Sequence, residues 1–317
     1  MSRGQDVGVV GDVGATNARF ALVEKADGHR RLMAQIQLAC ADFPSFEAVL
    51  AAYLRQVGAA PRRGVIAVAG AVKNNSVHFT NLDWFVTDQS LAKAGLPALT
   101  LINDFAAQAL ALPFLDDSRL CPLGPLTRAS EGMLAVIGPG SGLGIAGLLR
   151  RNGQTIPLAT EGGHADFAPT DEIEIELLRD LQRRHGRVSI EMLLSGAGLT
   201  RIHRFLAGES APDLAASEIS ARGLAGDEAC HATLLRFCDI LGSVAGNVAL
   251  SLGATGGLFI AGGIAPRLLP LLRQSRFRQR FEAKGPMSDY VRAIPSLVIT
   301  DTQSALLGAA SLIGEEQ

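Results

Sequence analysis

Aromatic residues are scarce in this 317-residue chain, where they make up 5% of the sequence with one Trp and two Tyr. Proteins that stack nucleic-acid bases need such rings, so their scarcity argues against base recognition. A basic excess is also missing, because 29 Lys and Arg stand against 31 Asp and Glu. With a formal net charge of −2 the chain has no bulk attraction for a phosphate backbone. We therefore expect no nucleic-acid partner.

Cysteine is also infrequent, with four residues at positions 40, 121, 230 and 238. No two of them have C-x-x-C spacing, which argues against a zinc knuckle or a dithiol redox motif. Scattered thiols of this kind are typical of a protein in the reducing cytoplasm. No long apolar run follows the first six residues, so we expect no signal peptide.

One long stretch without charge, residues 240–266, raises the question of a membrane span. Five residues rich in glycine, Gly253 to Gly257, interrupt it. We therefore predict a buried helix that ends near Leu252, a turn, and a strand over Leu258–Ala261. With this interpretation, we expect that the protein does not associate with a membrane.

Glycine, in contrast, is frequent at 35 residues, and it concentrates where apolar runs end. The length favours about two domains, and the alternation of short apolar runs with helical patterns favours an α/β architecture. One pattern opens each half of the chain: a strand, a glycine turn and a returning strand. Its parts are 7–10, 11–17 and 19–24 in the first half, and 133–137, 138–142 and 143–149 in the second. The repetition predicts an internal structural duplication.

The first glycine turn reads Gly11-Asp12-Val13-Gly14-Ala15-Thr16-Asn17. Such a turn lets backbone N–H groups face a phosphate without obstruction by side chains. Asp12 has the right chemistry to hold Mg²⁺ through water, while Thr16 and Asn17 can donate to phosphate oxygens. The alternative is an ordinary tight hairpin in which Asp favours the turn.

The second glycine turn, Gly138-Pro139-Gly140-Ser141-Gly142, can cradle phosphates in the same way. It is not a P-loop, because no Gly-Lys-Ser/Thr follows, and a strand rather than a helix follows it, unlike the dinucleotide fingerprint. Two such turns, one in each half, suggest a nucleotide held between domains. The later pair Gly262-Gly263 ends another apolar strand, where it fits either a base or ribose surface or a plain strand–helix turn.

The apolar strand Leu99–Ile102 ends in Asn103-Asp104. Polar side chains at the carboxyl end of a strand lie where α/β proteins build their sites, and a carboxylate there can take a proton from a hydroxyl nucleophile. The competing interpretation is that Asp104 only caps the helix that follows. Spacing alone favours the cap.

The segment Glu161-Gly162-Gly163-His164 and the downstream Glu191 offer hydrogen-bonding groups suited to a polyhydroxylated ligand. The glycine pair lets the backbone fold so that Glu161 and His164 converge. A metal site is one alternative, although His164 lacks a partner at H-x-x-x-H spacing. A solvated surface loop is the other.

Taken in order, these motifs resemble the bacterial glucokinase family of the hexokinase and actin-like ATPase superfamily. The resemblance runs from about Val7 to Gly308. It rests on Gly-Asp-Val-Gly-Ala-Thr-Asn-Ala-Arg, Ile-Asn-Asp-Phe, Gly-Ser-Gly-Leu-Gly, Glu-Gly-Gly-His-Ala-Asp-Phe-Ala-Pro, Leu-Ser-Gly-Ala-Gly-Leu and Ala-Gly-Gly-Ile-Ala-Pro-Arg. Each motif alone is only modestly specific, but six of them in the same order are strongly specific for the family.

The resemblance implies a two-domain α/β fold of the actin-like ATPase (ribonuclease H-like) type, with the active site in the interdomain cleft. It implies a small domain over residues 1–112, to which a C-terminal helix at 304–317 returns, and a large domain over 113–303. It also implies a cytoplasmic homodimer with glucose and ATP as its ligands and Mg²⁺ as its metal ion.

The implied reaction is ATP-dependent phosphorylation of glucose at its 6-hydroxyl. Asp104 would be the general base, and the sugar hydroxyls would be bound by Asn103, Glu161, His164 and Glu191. Asp12 would be associated with Mg²⁺. The residues implied around the nucleotide are Gly11, Asp12, Val13, Gly14, Ala15, Thr16, Asn17, Gly140, Ser141 and Gly142 at the two turns, with Gly262 and Gly263 near the adenosine.

The chain departs from the family pattern at two places. Ala15 stands where many members have a second glycine, which matters only if the backbone φ there is positive. Residues 69–76 match no pattern to which we can give a role. Action on another hexose, another phosphate donor, a regulatory sugar-binding protein without turnover and a cytoskeletal ATPase are the alternative functions. Intact Asp104 and Asp12 argue against the regulatory protein, and the cluster at Glu161, His164 and Glu191 argues against the cytoskeletal ATPase.

Overall fold

The computed structural model describes residues 7–26, 29–79, 82–93, 98–126, 131–208, 211–301 and 303–313. The chain divides into two compact units. Unit 1 consists of Met1–Leu115 together with Gln303–Gln317, and unit 2 of Asp116–Thr302. Part of the segment predicted as the C-terminal helix, residues 314–317, lies outside the described residues.

Unit 1 is built on a five-stranded sheet with the order β3-β2-β1-β4-β7. The first three strands form an antiparallel meander, and β4 and β7 then add in parallel. A small hairpin, β5 with β6, stands apart from it. The elements are β1 Val7–Val13, β2 Asn17–Ala26, β3 His29–Ala39, β4 Arg63–Val68, β5 Val77–His78, β6 Phe85–Val86, β7 Ala98–Asn103, α1 Phe46–Val57, α2 Asp88–Lys93 and α3 Asp104–Ala111.

The alternation of side chains along β1 gives the unit 1 sheet two buried faces. Val9 and Val13 pack on one face in a core that includes Phe46 and Tyr53 of α1. Val10 faces the other side, where it packs in a second cluster with Leu306 and its neighbours near the C-terminus. Helix α1 is well delimited, because Ser45 caps its start and the left-handed Gly58 ends it.

Unit 2 contains a six-stranded sheet with the order β11-β10-β9-β12-β13-β8. Seven helices among its described residues surround one large apolar core. The elements are β8 Leu120–Pro122, β9 Gly132–Pro139, β10 Leu143–Arg151, β11 Gln154–Thr160, β12 Gly257–Ile260, β13 Ser296–Ile299, α4 Glu172–His185, α5 Gly196–Ala207, α6 Ala216–Leu224, α7 Glu228–Leu252, α8 Leu269–Gln274, α9 Phe277–Glu282 and α10 Ser288–Arg292.

The two sheets repeat one topology, which confirms the predicted duplication. In each, a three-stranded antiparallel meander is followed by two parallel strands, so that β9, β10 and β11 correspond to β1, β2 and β3. The sequence indicated only two strands around each glycine turn. The third strands, β3 and β11, lie at sheet edges and carry many exposed residues, which hides their pattern. The three-residue β8 was also missed, because so short a strand carries no alternating pattern.

Helix α7 contains most of the charge-free stretch and is long and apolar enough to cross a membrane. However, 78% of its most apolar window is buried inside the protein. It ends at Leu252 with Gly253 in the left-handed conformation, and β12 begins at Gly257. The prediction of a buried helix, a turn and a strand is therefore confirmed.

A last helix, α11, spans Ser304–Ser311 and packs against α3 within unit 1. The contact is so close that a Cβ on Gly308 would lie 1.8 Å from the carbonyl oxygen of Ala107. Ser304 also donates a hydrogen bond to Gln108 at 2.6 Å. The C-terminal segment thereby supports the helix that begins at Asp104.

Candidate functional site

The first glycine turn is shorter than the sequence predicts. Strand β1 continues to Val13 and β2 begins at Asn17, so that only residues 14–16 form the turn. The N–H of Gly14 donates to the carbonyl of Asn17 at 3.0 Å, which closes the hairpin. A Cβ on Gly14 would meet nothing closer than 3.9 Å, so its surroundings are open to a ligand. Ala15 does not have a positive φ, and its departure from the family pattern therefore causes no strain.

Gly11 and Val13 belong to the interior of the sheet. A Cβ on Gly11 would lie 2.8 Å from Phe20 and 2.9 Å from Ile66, so this glycine is required by packing. The Val13 side chain is fully buried. The prediction that Gly11 and Val13 belong to the turn was wrong. In a sequence, a glycine required by the packing of a neighbouring side chain cannot be distinguished from a glycine of a turn.

Asp12 begins a chain of polar contacts that runs across the meander. Its Oδ2 pairs with Arg19 Nη1 at 3.4 Å, and Arg19 Nε donates to Gln37 at 2.9 Å. Gln37 then donates to Asn17 Oδ1 at 3.0 Å. Burial raises the pKa of Asp12, and the Arg19 guanidinium opposes that rise. Gln37, which the sequence analysis missed, therefore connects Asp12 to the residue that opens β2.

At the end of β7, the helix cap is Asn103 and not Asp104. The Asn103 side chain accepts hydrogen bonds from the N–H groups of Phe105 and Ala106 at 3.0 and 3.1 Å. Its Nδ2 donates to the carbonyl of Gly70 at 3.2 Å. Asp104 is the first residue of α3 and is partly exposed, in a first turn where the helix dipole favours a carboxylate. The alternative of Asp104 as the cap is therefore wrong.

The segment over residues 69–76, left without a role by the sequence, supports the strand that carries Asn103. Asn75 Nδ2 donates to the carbonyl of Leu99 at 2.9 Å, and its Oδ1 accepts from the N–H of Leu101 at 2.6 Å. Since β7 lies at the sheet edge, these bonds replace those of a missing neighbour strand. Asn74 and Asn75 both have φ of 50°, a left-handed conformation that asparagine tolerates.

The register of the parallel strands places Asp12 and Asp104 near the same edge of the unit 1 sheet, the one formed by the carboxyl ends of its parallel strands. Asp12 pairs with Ala67, and Ala67 pairs with Ile102. Asp12 and Ile102 are therefore about 10 Å apart, two strand spacings, and point to the same face. Asp104 follows directly beyond that edge.

The second glycine turn, in unit 2, is also short, with residues 140–142 between β9 and β10. The N–H of Gly140 donates to Gly142 at 2.8 Å, while its carbonyl accepts from Gly196 at the start of α5, also at 2.8 Å. A Cβ on Gly140 would meet nothing within 4 Å. The turn therefore presents open backbone next to the start of a 12-residue helix, an arrangement suited to anions.

The Gly262-Gly263 turn packs against the same strand end. Gly262 has φ of 81°, and a Cβ there would lie 2.4 Å from the carbonyl oxygen of Pro139. Gly263 has open space within 4 Å. Gly262 is thus required by its close contact with the backbone of Pro139, whereas Gly263 is exposed with open space beside it.

Three of the four residues predicted to bind the sugar hydroxyls, Glu161, His164 and Glu191, lie in unit 2. The N–H of Phe167 donates to Val188, and that of Ile190 to Ala165, so two distant segments are joined. His164 Nδ1 consequently lies 4.0 Å from Glu191 Oε1. Glu161 immediately precedes the short helical turn Gly162–His164 and is exposed.

Glu191 is also bonded to the second glycine turn. Its Oε2 accepts from the N–H of Leu143 at 2.8 Å, and a Cβ on Gly142 would lie 2.5 Å from that oxygen. Arg187, which the sequence analysis missed, donates to the carbonyl of His164 at 2.6 Å and to Asp166 at 2.7 Å. The only feature of the sequence that could have indicated a role for Arg187 is its positive charge four residues before Glu191.

Comparison with known proteins identifies the family of this chain. The glucokinase family model matches residues 9–316. A glucokinase of Caulobacter sp. (strain K31) is 50% identical over 309 residues, which cover 96% of this chain and 94% of the relative. The crystal structure of a glucokinase from an Antarctic psychrotroph has a TM-score of 0.87 at 38% identity, covering 98% of this chain and 99% of the other.

A more distant structure shares the fold. The ROK family glucokinase from Streptomyces griseus, solved in complex with glucose and AMPPNP, has a TM-score of 0.66 at 19% identity and covers 96% of this chain and 98% of its own. The mixed α/β architecture is thus that of known sugar kinases. With the family model and close relatives spanning nearly the whole sequence, this chain belongs to the glucokinase family.

Proposed function

We propose that this protein is an enzyme that transfers the γ-phosphoryl group of ATP to the 6-hydroxyl of glucose, giving glucose 6-phosphate and ADP. The observation that carries the proposal is the arrangement at the end of β7. Asn103 takes over the capping of α3, and Asp104 stands next to it at the carboxyl edge of the sheet. A carboxylate in that place is suited to act on a substrate hydroxyl.

Asp104 acts as the general base. Phosphoryl transfer needs the sugar oxygen aimed at the γ-phosphorus, and the proton of that oxygen must finally leave. The Asp104 carboxylate receives this proton while the phosphoryl group moves. Helix α11 and the Asn75 contacts hold α3 and β7, and so restrict the position of the carboxylate.

The nucleotide is bound by the two glycine turns. Gly14 and Gly140 have no close neighbours where a Cβ would be, so phosphate oxygens can approach the backbone N–H groups of these turns. Thr16 and Ser141 add hydroxyl donors. Gly263 offers its open surface to the adenosine.

Asp12 is the residue suited to hold Mg²⁺. Among the described residues no group of three acidic, His or Cys side chains forms a metal site. A single carboxylate fits a Mg²⁺ that is held mainly by substrate phosphates and water. When bound, the ion neutralises charge on the phosphates. The pairing of Asp12 with Arg19 keeps its carboxylate in place beside the first turn.

Glu161, His164 and Glu191 bind the sugar hydroxyls, together with Asn103. Because Asn103 and Asp104 belong to unit 1 and the other three to unit 2, we propose a shared site in an interdomain cleft that forms as the two domains close on the substrates. Closure would exclude water, which limits wasteful ATP hydrolysis. The complex of the Streptomyces griseus protein with glucose and AMPPNP supports this pair of ligands. As for the family, we propose a cytoplasmic homodimer.

The test is an ADP-release assay over a panel of hexoses, each with ATP, GTP and polyphosphate. We expect the highest kcat/KM with glucose and ATP. Asp104→Asn should lower kcat by at least about 10²-fold, the lower end for general-base catalysis. Because the loss lies mainly in the transition state, the glucose KM should change far less. A fully folded Asp104→Asn enzyme with near-normal kcat would exclude the general-base role.

A further inference from the structure

One cavity in unit 2 lies outside the candidate site. Its volume is about 340 Å³. It is lined by Thr170, Asp171, Ser243, Arg276, Gln279, Arg280, Ala283 and Lys284. None of these residues belongs to the glycine turns or to the sugar cluster, so the proposed function gives the cavity no role.

Positive charge is in excess around this cavity. The partly buried cluster there contains four cations, Arg236, Arg276, Arg280 and Lys284, but three carboxylates, Asp171, Glu174 and Asp239. Arg236 and Arg280 both pair with Asp171 and Glu174, and Arg276 pairs with Asp239 at 2.5 Å. Lys284 has no acidic partner among the described residues and donates only to the carbonyl of Ser243 at 2.9 Å. Lys284 is partly buried, and a cation that loses water without gaining a counter-ion favours capture of an anion.

The cations also retain unused hydrogen-bond donors. Arg280 is 9% exposed, and its two bonds to carboxylates both use Nη2. Its Nε is buried with no acceptor in the part of the chain that the structure describes. Arg276 uses Nε and Nη2 on Asp239, and its Nη1 donates no hydrogen bond to a described residue. A buried donor such as Arg280 Nε almost always finds a partner, so it points to an absent acceptor, and the exposed Arg276 has a free donor that can share it.

Lys284 carries the clearest sign of this imbalance. Its pKa is lowered from 10.5 to about 8, first by burial and then by the charge of the neighbouring Arg280. An anion beside the amine would reverse that effect, because it favours the charged form. Asp171 also lines the cavity, but its charge is compensated by Arg236 and Arg280.

We propose that this cavity is a binding site for a small phosphate monoester, held by Arg276, Arg280 and Lys284. A phosphate group matches the site because it carries about two negative charges and three acceptor oxygens, and guanidinium groups recognise such oxygens through paired N–H donors. The volume leaves room for a short carbon skeleton beside the phosphate.

Inorganic phosphate is the probe for this site. Its apparent Kd is measured from the rise in thermal midpoint as phosphate replaces chloride at constant ionic strength. Saturating glucose and AMPPNP are present throughout, so that the catalytic site is occupied. The decisive variant is Gln279→Glu, which adds a carboxylate to the cavity lining at an exposed position and removes no charge pair. The matched control is Gln274→Glu, which makes the same change at another exposed position outside the lining.

We expect saturable stabilisation by phosphate in the wild type and in Gln274→Glu, with at least a tenfold weaker apparent Kd in Gln279→Glu. Lys284→Gln should also weaken phosphate binding. This second variant is an independent check, in case Gln279→Glu changes the structure in another way. General stabilisation by phosphate as a salt would not saturate and would act on all four proteins alike. That result, or an unchanged apparent Kd in both cavity variants, would overturn the proposal.

Discussion

Glu191 accepts a hydrogen bond from the backbone N–H of Leu143 at 2.8 Å, which joins a predicted sugar ligand to the end of the second phosphate turn. The same carboxylate lies over Gly142, where a Cβ would be 2.5 Å from its Oε2. The sequence treats these as separate motifs about 50 residues apart. In the folded chain, a substitution of Glu191 should therefore also affect the second glycine turn.

Glu191→Ala should therefore raise the KM for both glucose and ATP, and not that for glucose alone. Loss of a charged hydrogen-bond partner should cost about 1.5–3 kcal/mol of binding free energy, or roughly 10- to 150-fold. Glu161→Ala is the control, because Glu161 is exposed and makes no such bond to the turn. Steady-state kinetics with each substrate varied in turn would separate the two. An ATP KM that stays normal in Glu191→Ala would show that the Leu143 bond does not shape the turn.

Asn103 occupies the cap position of α3 and accepts from the N–H groups of Phe105 and Ala106, while Asp104 shares the first of these at 2.9 Å. Asn103→Ala removes the cap of α3, and we expect it to lower the free energy of unfolding by about 1 kcal/mol. Asn103→Asp should keep the capping contribution, because Asp caps as well as Asn, but it loses the stabilising hydrogen bond to the carbonyl of Gly70. Denaturant unfolding measures the first effect, and the glucose KM of both variants measures the proposed contact with sugar. Equal stability of Asn103→Ala and the wild type would contradict the capping role.

Asn75 should affect catalysis without touching a substrate. Asn75→Ala leaves the N–H of Leu101 and the carbonyl of Leu99 without their side-chain partner, at a cost of about 1–3 kcal/mol. Because β7 carries Asn103 and Asp104, we expect a lower thermal midpoint together with a lower kcat. The control is Asn74→Ala, which places Ala at the same φ of 50° but removes no side-chain bond to β7. If the two variants behave alike, backbone strain and not the bonds to β7 explains the loss.

Lys284 should give the protein a distinct pH dependence of stability in phosphate-free buffer. Its folded pKa of about 8 lies below the ordinary 10.5, because burial and then Arg280 disfavour the charged form. Between these values the unfolded chain binds more protons than the folded one, so the free energy of unfolding rises with pH. Lys284→Met should lack this rise.

The measurement is the difference in thermal midpoint between the wild type and Lys284→Met at several pH values from 7 to 10.5. Taking the difference removes the titration of groups that both proteins share, such as Tyr53, whose pKa burial raises to about 12. We expect the variant to be the more stable protein at pH 7 and its advantage to shrink above pH 8. A constant difference over that range would mean that Lys284 titrates normally.

The local motifs of this protein could be predicted from the sequence because each depends on residues that are close along the chain. An apolar run that ends in glycine predicts a strand and its turn, as at β12, where the predicted Leu258–Ala261 is observed as Gly257–Ile260. The order of six such motifs was sufficient for the family. The repeated strand–turn–strand pattern was sufficient for the duplication that both sheets show.

Tertiary structure alone decided which polar groups meet and which are already in use. Gly11 is a glycine because Phe20 and Ile66 pack over it, and Asn103 caps α3 while it also reaches Gly70. Asn75 has a role only because β7 is an edge strand with two backbone groups to satisfy. The unbalanced charge of Lys284 depends on helices that bring four cations and three carboxylates together from positions 171–284. Local patterns record backbone preference, whereas contacts between distant residues depend on how the sheets and helices pack, which no short stretch of sequence encodes.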